Sequence, residues 1–298
     1  MRCIALAQMI SNDFEIIFVT QNLPEKIQQN ILELNFKLIS ITEENEITSI
    51  LSTNDIVVID HYGLGIDYHR LLKQQRVKIV CIDDIHDKEF DADLIINHAP
   101  SVSSDSYKSN HSTVYALGLD YALLRPIFFQ QKKAYTKEKN SLLICFGGSD
   151  FKNLTLNVLS EVLKGNSFDQ ITVVTGSAYL YLDKLNPLLN SDNRVTHYHA
   201  VNDLKMFELL SKAEASVTPA SGILFEAIAC NCTAISGYYV ENQTSIYKGF
   251  LELNAIVDAN DFSNLALQES FHQIETFSNQ VWIDGKSPER ILTLFKNL

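Results

Sequence analysis

The 298-residue chain lacks an excess of positive charge: 24 Lys and Arg face 36 Asp and Glu, a formal net charge of −12. Nucleic acids and anionic membrane surfaces are not attracted to such a chain without a local basic patch, and none stands out beyond Lys132-Lys133. The chain also lacks an apolar run of about 18 residues and the charged-then-apolar start of a signal peptide. We therefore expect no nucleic acid partner and no stable membrane insertion.

Paired cysteines are also lacking. The number of cysteines is odd, no Cys-x-x-Cys spacing occurs, and most of them lie in apolar stretches, which predicts reduced and buried thiols rather than disulfides. Such thiols are typical of a cytoplasmic protein. The cysteines are Cys3, Cys81, Cys145, Cys230 and Cys232.

Metal-ligand patterns are weak. His197 and His199 alternate along a predicted strand and so share one side of it, but the sequence offers no obvious third ligand. Asp83-Asp84 follows another strand without an acidic cluster to complete an oxygen cage, so a capped turn is favoured over a cation site. We predict neither a metal nor a cofactor.

What the sequence does contain is an alternation of apolar β-rich runs with segments of helical pattern, in two successive sets. It predicts an α/β protein with two Rossmann-like parallel-sheet domains and a ligand cleft between them, at the carboxyl ends of both sets of strands. The polar stretch 130–140 is the best linker candidate. The predicted divisions are an N-terminal domain over 1–129, a C-terminal nucleotide-binding domain over 140–276 and a last helix over 277–298.

A glycine corner follows the first strand of the second set. Leu142 to Phe146 runs into Gly147-Gly148-Ser149 and then into a predicted helix, for which Ser149 and Asp150 are suitable caps. Glycines let the backbone approach a ligand closely, and the amides that open a helix favour an anion. The alternative is a purely structural turn.

A second corner of the same kind follows about 70 residues later in the chain. Ala215 to Thr218 is a predicted strand, Ser221-Gly222 opens a helix, and Glu226 lies about one turn inside it. A carboxylate there can accept hydrogen bonds from two ribose hydroxyls while the first amides face a diphosphate. The alternative is a capped helix with a solvated Glu, but Glu226 lies among apolar residues where an unpaired carboxylate is costly. Together the two corners suit a nucleoside diphosphate.

Two polar loops complete the candidate site. The residues Asp60-His61-Tyr62-Gly63 lie at the carboxyl end of a predicted buried strand. Loops of this kind commonly carry binding and catalytic residues. For His61 a hydrogen-bonded strand end is favoured, whereas for Tyr62 a functional and a structural role stay open. Asn242-Gln243 follows another strand, where amides can also be plain turn residues.

Six sequence blocks, in order along the chain, resemble those of a known protein family. The blocks are VIDHYGLGIDYHR (58–70), VCIDDIHDKEFDADLIIN (80–97), YALLRPIF (121–128), CFGGSDFKNLT (145–155), the corner at 218–231, and ENQ at 241–243. With them the chain resembles the UDP-2,4-diacetamido-2,4,6-trideoxy-β-L-altropyranose hydrolases of pseudaminic acid biosynthesis, relatives of the lipid II glycosyltransferase with a GT-B fold.

The resemblance implies a metal-independent enzyme that cleaves a UDP-sugar with water and releases UDP and the free sugar. It places Asn242 at the sugar or the departing phosphate and Tyr62 on the water side, as the catalytic residues. The expected substrate-binding residues are Gly147, Gly148, Ser149, Ser221, Gly222, Glu226 and Gln243.

The beginning of the chain departs from the family pattern. The family opens with a strand and a Gly-x-Gly-His corner before a helix close to MRC-x-ALA, whereas this chain begins at MRCIALAQMI. In the family that histidine is the expected general base, and losing such a group costs about 10² to 10⁴ in rate. Two explanations stay open: Met1 is an internal methionine, or hydrolysis is impaired. The first is favoured because a sheet without its first central strand has an unpaired edge.

Three functions therefore compete. The first is hydrolysis of the UDP-linked diacetamido sugar. The second is transfer of a sugar from UDP to an acceptor, which the same fold serves. The third is a catalytically silent protein that binds a nucleotide sugar. The sequence specifies neither the sugar stereochemistry nor the oligomeric state.

Overall fold

The computed structural model describes residues 1–130 and 135–298, and for Glu275 the backbone only. Residues 131–134, in the predicted linker, lie outside the described residues, as does the Lys132-Lys133 pair. The chain divides into two compact units. One comprises Met1–His98, Val102–Pro126 and Lys286–Leu298, and the other comprises Ala99–Ser101 and Ile127–Gly285. The domain boundaries predicted from the sequence stay predictions.

The first unit alternates short strands with helices, as the apolar pattern predicts. Its elements are α1 Arg2–Ile10, β1 Ile17–Thr20, α2 Glu25–Glu33, β2 Lys37–Ser40, β3 Ile56–Ile59, α3 Ile66–Lys73, β4 Lys78–Ile82, β5 Glu89–Phe90, β6 Leu94–Asn97, β7 Lys108–Ser109 and β8 Val114–Leu117.

Parallel pairing organises this unit into separate sheets. A four-stranded sheet has the order β3-β4-β6-β8, while β1 pairs with β2 and β5 with β7 in two-stranded sheets. The core of the four-stranded sheet is apolar, with Leu72 on α3 and Ile79 on β4 fully buried. Helix α1 is also buried along most of its length. This arrangement brings the carboxyl ends of β3 and β4 side by side.

The second unit contains one larger parallel sheet with helices between its strands. Its elements are β9 Glu138–Cys145, α4 Leu154–Val162, β10 Gln170–Thr175, α5 Leu182–Leu189, β11 Val195–His199, α6 Asp203–Lys212, β12 Ala213–Pro219, α7 Gly222–Ala229, β13 Thr233–Gly237, α8 Thr244–Glu252, β14 Val257–Asn260 and α9 Asn264–Gln273. The last helix, α10 Ser287–Lys296, belongs to the first unit.

The strand order of the larger sheet is β11-β10-β9-β12-β13-β14. Its core contains side chains such as Ile144, Val217 and Ile235, all fully buried. Buried on both faces, central parallel strands consist of continuous apolar runs, which is why the sequence reveals them. The pattern thus correctly predicts an α/β fold built on parallel sheets.

Some predicted boundaries are wrong. In the first set the apolar pattern predicts a strand over 14–19, but β1 begins only at Ile17. Strand β9 begins at Glu138, four residues before the expected Leu142. Among the described residues, no helix is long and apolar enough to cross a membrane.

Candidate functional site

The two predicted corners lie at the point where the strand order of the larger sheet reverses. Strands β9 and β12 are neighbours, with Ile144 paired to Val217. From β9 the chain continues outward to β10 and β11, and from β12 it continues outward on the other side to β13 and β14. Ligands of open α/β sheets bind outside the carboxyl ends of the strands at such a switch point. The loops that begin after β9 and β12 flank it.

The loop after β9 has the conformation that its glycines permit. Gly147 has a φ of +80°, in the left-handed region that favours glycine. The next residues, Gly148 and Ser149, are exposed. This loop, 147–149, we call the glycine loop.

The helix expected directly after the glycine loop begins later, so that prediction is wrong. Helix α4 begins at Leu154, and the Asp150 carboxylate accepts hydrogen bonds from the backbone N–H of Leu154 and of Thr155, both at 2.8 Å. Asp150 is thus a cap of this helix, as predicted, and it satisfies two amides that were expected to face an anion. Among the described residues, no hydrogen bond from Ser149 caps α4. Burial raises the pKa of Asp150, while the hydrogen bonds from Thr155 and Leu154 lower it.

The end of strand β10 supports the glycine loop. Gly176 directly follows β10, and a Cβ there would lie 2.2 Å from the Gly148 carbonyl oxygen and 2.5 Å from that of Gly147. The backbone N–H of Ala178 donates to the same Gly148 oxygen at 3.1 Å. The position of the glycine loop therefore depends on a glycine at 176.

The second corner has the predicted arrangement. Strand β12 ends at Pro219, Ser221 is the N-cap of α7 with extended backbone, and α7 begins at Gly222. Glu226 lies one turn inside α7 and is half-buried between fully buried neighbours, Phe225 and Ala227. A half-buried carboxylate thus lies one turn from the N-terminus of a helix.

Neither Gly148 nor Gly222 is required by the protein's own packing. Apart from the adjoining residues and, for Gly222, the backbone of its own helix, a Cβ added at either position would meet no atom of the described residues within 4 Å, and neither glycine has a positive φ. Other residue types are therefore sterically acceptable at both places within the protein itself. Space at two glycines on both sides of the switch point is what a closely approaching ligand needs.

The loop after β13 carries the predicted amides. Asn242 is exposed in a short 3₁₀ helix, Glu241–Gln243, whereas Gln243 is buried. The Gln243 Oε1 accepts from the backbone N–H of Tyr239 at 3.0 Å, so this side chain has an internal partner that shapes the loop. Lys152 joins this loop to the one after β9, since its Nζ donates to the Tyr239 carbonyl oxygen at 2.7 Å.

The two strand histidines share a threonine. Thr175 Oγ1 lies 2.9 Å from His197 Nε2 and 3.0 Å from His199 Nδ1, as their alternation along β11 suggests. Burial and the neighbouring His199 lower the pKa of His197. Within residues 1–130 and 135–298, no group of three His, Cys, Asp or Glu side chains could hold a metal ion.

The first unit has a polar cluster of its own at the carboxyl ends of β3 and β4. The Arg2 guanidinium donates from Nη2 to Asp60 Oδ1 at 2.6 Å and from Nη1 to Asp84 Oδ2 at 2.8 Å. The hydroxyl of Tyr62, whose side chain is half-exposed, donates to the same Asp84 oxygen at 3.0 Å. Burial lowers the pKa of Arg2, but the two carboxylates outweigh it, and the net shift is upward. We call these four residues the Arg2 cluster.

His61 and Asp83 have structural roles. His61 Nδ1 accepts from the backbone N–H of Gly63 and Leu64, at 3.0 and 3.2 Å, which is the hydrogen-bonded strand end favoured above. The Asp83 carboxylate accepts from the His86 N–H at 2.8 Å and so caps a turn. Sequence reasoning missed Gly176 and Arg2. A glycine directly after a strand is a detectable signal for the first, whereas nothing local indicates the second.

No model of a protein family matches the chain. It is 27% identical over 252 residues to the UDP-2,4-diacetamido-2,4,6-trideoxy-beta-L-altropyranose hydrolase of Campylobacter jejuni, covering 82% of this chain and 87% of that protein. It is 29% identical to an uncharacterized protein of Methanocaldococcus jannaschii and 26% identical to the spore coat polysaccharide biosynthesis protein SpsG of Bacillus subtilis. The matches span 51% and 61% of those two relatives and 80% and 68% of this chain.

Solved structures match over the whole chain. MurG of Acinetobacter baumannii superposes with a TM-score of 0.66 at 10% identity, covering 100% of this chain and 95% of that one. The UDP-GlcNAc 2-epimerase of M. jannaschii gives a TM-score of 0.61 at 13% identity, with 100% and 96% coverage. The fold is therefore that of the GT-B glycosyltransferases and epimerases. Within this class, the resemblance to the UDP-diacetamido-trideoxy-altropyranose hydrolases is confirmed by the sequence matches.

Proposed function

We propose that the second unit binds the UDP part of a nucleotide sugar at the switch point of its sheet. The diphosphate lies against the glycine loop and the N-terminus of α7, where amides and the positive end of the helix dipole stabilise negative charge. Glu226 accepts hydrogen bonds from the ribose hydroxyls. Ser149 and Ser221 contribute hydroxyls to the phosphate oxygens.

The single observation that carries this proposal is the space at Gly148 and Gly222. Both glycines lie in exposed positions and need no special backbone angle, and in the described part of the chain only adjoining residues come within 4 Å of an added Cβ. Both also flank the reversal of strand order between β9 and β12. Glycines without a structural reason, at the place where α/β sheets bind ligands, support a bound group that the backbone approaches closely.

We propose further that the reaction is hydrolysis of a UDP-linked 2,4-diacetamido-2,4,6-trideoxy sugar. A water oxygen forms a bond to the anomeric carbon, the bond from that carbon to the β-phosphate oxygen breaks, and UDP departs with the electron pair. The water releases a proton to solvent. The site at α7 stabilises the charge that develops on the leaving phosphate. Asn242 and Tyr62 contact the sugar, and Gln243 holds the Asn242 loop. The relative from C. jejuni and the residues at these positions support this choice.

The test is release of UDP from the UDP-diacetamido-altropyranose compound by the purified chain, without acceptor and in the presence of EDTA. We expect UDP and free sugar in equal amounts. Tight binding of UDP without release would contradict hydrolysis and favour the silent binding protein. Release that needs an added acceptor would favour the glycosyltransferase. Absence of UDP binding would contradict the nucleotide site itself.

Glu226→Gln separates the nucleotide site from the chemistry. An amide keeps the shape of the side chain but loses the charge that strengthens hydrogen bonds from the ribose, a loss of about 1.5–3 kcal/mol. We expect about a tenfold or larger increase in the Kd of UDP by calorimetry. Glu252→Gln is the matched control, an exposed carboxylate on α8 of the same unit. An equal effect of both variants would exclude a specific role for Glu226.

A further inference from the structure

The Arg2 cluster joins three separate pieces of the first unit. Arg2 begins α1, Asp60 follows β3, and Asp84 follows β4 at the same edge of the sheet. The guanidinium reaches both carboxylates, at 2.6 Å and 2.8 Å, and a weaker contact of 3.4 Å joins its Nε to the second Asp60 oxygen. A guanidinium presents several N–H donors in one rigid plane, which allows it to bridge two carboxylates. One residue thus holds the ends of two neighbouring strands.

Tyr62 is attached to this bridge through Asp84. Its hydroxyl donates at 3.0 Å to Asp84 Oδ2, the oxygen that also accepts from Arg2. The backbone beside Tyr62 is held separately, since Lys88 Nζ donates to the carbonyl oxygens of His61 and Leu64 at 2.9 and 3.0 Å. The Tyr62 side chain is 53% exposed, so packing alone does not restrict its ring, and the hydroxyl contact gives it a direction.

We propose that Arg2 and Asp84 are positioning residues that orient the Tyr62 hydroxyl for the hydrolysis proposed above. Asp84 accepts a hydrogen bond from the Tyr62 hydroxyl, and Arg2 balances the charge of that carboxylate and fixes its rotamer. Without Arg2 the Asp84 carboxylate, only 8% exposed, loses the charged donor that lies 2.8 Å from its Oδ2. The Tyr62 hydroxyl is then no longer oriented, although the side chain itself is unchanged. The inference rests on the proposed function, because it takes Tyr62 to be the residue at the sugar.

The first experiment is a double-mutant cycle of Arg2→Lys with Tyr62→Phe, measured as UDP release. Lysine keeps the charge but is a point donor that does not bridge two carboxylates in one plane. Misplacement of about 1 Å can cost up to about 100-fold in rate, so we expect kcat to fall about tenfold in Arg2→Lys. In the Tyr62→Phe background the same change costs less than twofold, because the group it positions is gone. Independent, multiplicative losses would overturn the proposal.

Two controls separate positioning from folding and from the nucleotide site. Arg70→Lys makes the same chemical change at an exposed arginine of α3, whose 3.7 Å contact with Asp67 is also at the surface, and leaves kcat unchanged. The Kd of UDP stays within twofold in every variant, since its proposed site lies in the other unit. A fall in UDP affinity that parallels the fall in kcat would indicate general damage and contradict positioning.

A readout without turnover keeps the inference testable if the proposed function fails. With 3-fluorotyrosine at position 62, the ¹⁹F resonance of the substrate-free protein reports the environment of this ring. We expect Arg2→Lys and Asp84→Asn each to shift or broaden it, and Arg70→Lys to leave it in place. An unchanged resonance in the first two variants overturns the proposal whether or not UDP is released. A changed resonance with no release contradicts the proposed hydrolysis alone.

Discussion

At the scale of single residues, glycines show the difference between structural and ligand-related positions. Gly147 needs its positive φ and Gly176 needs its missing Cβ, so the fold itself explains both. Gly148 and Gly222 have neither reason. The sequence pattern does not distinguish these cases, because all four are simply glycines after strands. Only the surroundings of each Cα separate them.

Gly222→Ala tests whether this glycine leaves space for a ligand. In helix interiors alanine is favoured over glycine by up to about 1 kcal/mol, and at this first helical position its Cβ meets no described residue beyond its own helix and neighbours, so we expect an equal or higher Tm. The methyl group enters the space proposed for the diphosphate, and the Kd of UDP should rise at least about tenfold, or about 1.4 kcal/mol. Thermal unfolding and calorimetry measure the two effects separately.

The control for this substitution is Gly165→Ala, at an exposed glycine after α4 that also has open space around its Cα. It should leave UDP binding unchanged. Unaltered binding in Gly222→Ala would contradict the diphosphate position at α7.

At the scale of elements, the position of the glycine loop depends on the end of the next strand. The loop after β9 lies against the start of the β10 to α5 connection, where Gly176 allows backbone contact. It is held on its other side by Lys152, which reaches the loop after β13. Three strand ends of one sheet thus define the geometry of a single loop.

Gly176→Ala tests this support. Its Cβ would lie 2.2 Å from a backbone oxygen, which cannot rotate away as a side chain could, so the glycine loop must shift. We expect a loss of about 1–3 kcal/mol in the free energy of unfolding, as for other overpacked sites, together with weaker UDP binding. Chemical denaturation and calorimetry check both. A variant as stable as Gly165→Ala with unchanged UDP affinity would show that the loop tolerates the displacement.

The position of an element is predictable from the sequence where its residues form a buried apolar run. It is not predictable where contacts with residues elsewhere in the chain determine it. Strand β10 is predicted to within one residue because Ile171, Val173 and Val174 form a buried apolar run. Strand β2 is missed because it has four residues, and none of them is buried. The start of α4 is misplaced because Asp150 caps it from four residues upstream.

The candidate site follows the same division. The two corners and Glu226 are predictable, since a strand, a glycine and a helix are adjacent in the chain and their residue types limit the backbone. The Arg2 cluster is not, because its two carboxylates lie 58 and 82 residues from Arg2 in sequence. Pairing at that distance is decided by the sheet order, which the local pattern does not encode.

At the scale of the whole molecule, the stability of the fold should depend on pH through two buried histidines of the first unit. Burial lowers the pKa of His69 to about 4 and that of His98 to about 3. His69 Nδ1 accepts from the Asp91 N–H at 3.2 Å, and His98 Nδ1 accepts from the Leu123 N–H at 3.0 Å. An imidazolium has only donors, so protonation breaks both bonds. Both rings must therefore stay neutral in the folded protein.

The sign of the effect follows from linkage. The unfolded histidines have a pKa near 6.5 and bind protons first, so the folded state loses stability as the pH falls below about 6.5 and continues to do so down to the folded values. From pH 7 to 5.5 we expect a loss of about 1.3 kcal/mol for each histidine in the free energy of unfolding, measured by urea denaturation. His69→Asn and His98→Asn keep an acceptor oxygen but do not titrate. Each should remove the loss that its own imidazole causes, about 1.3 kcal/mol between pH 7 and 5.5, and the double variant about twice that. A double variant with the full dependence would mean that other groups, not these imidazoles, make the fold sensitive to acid.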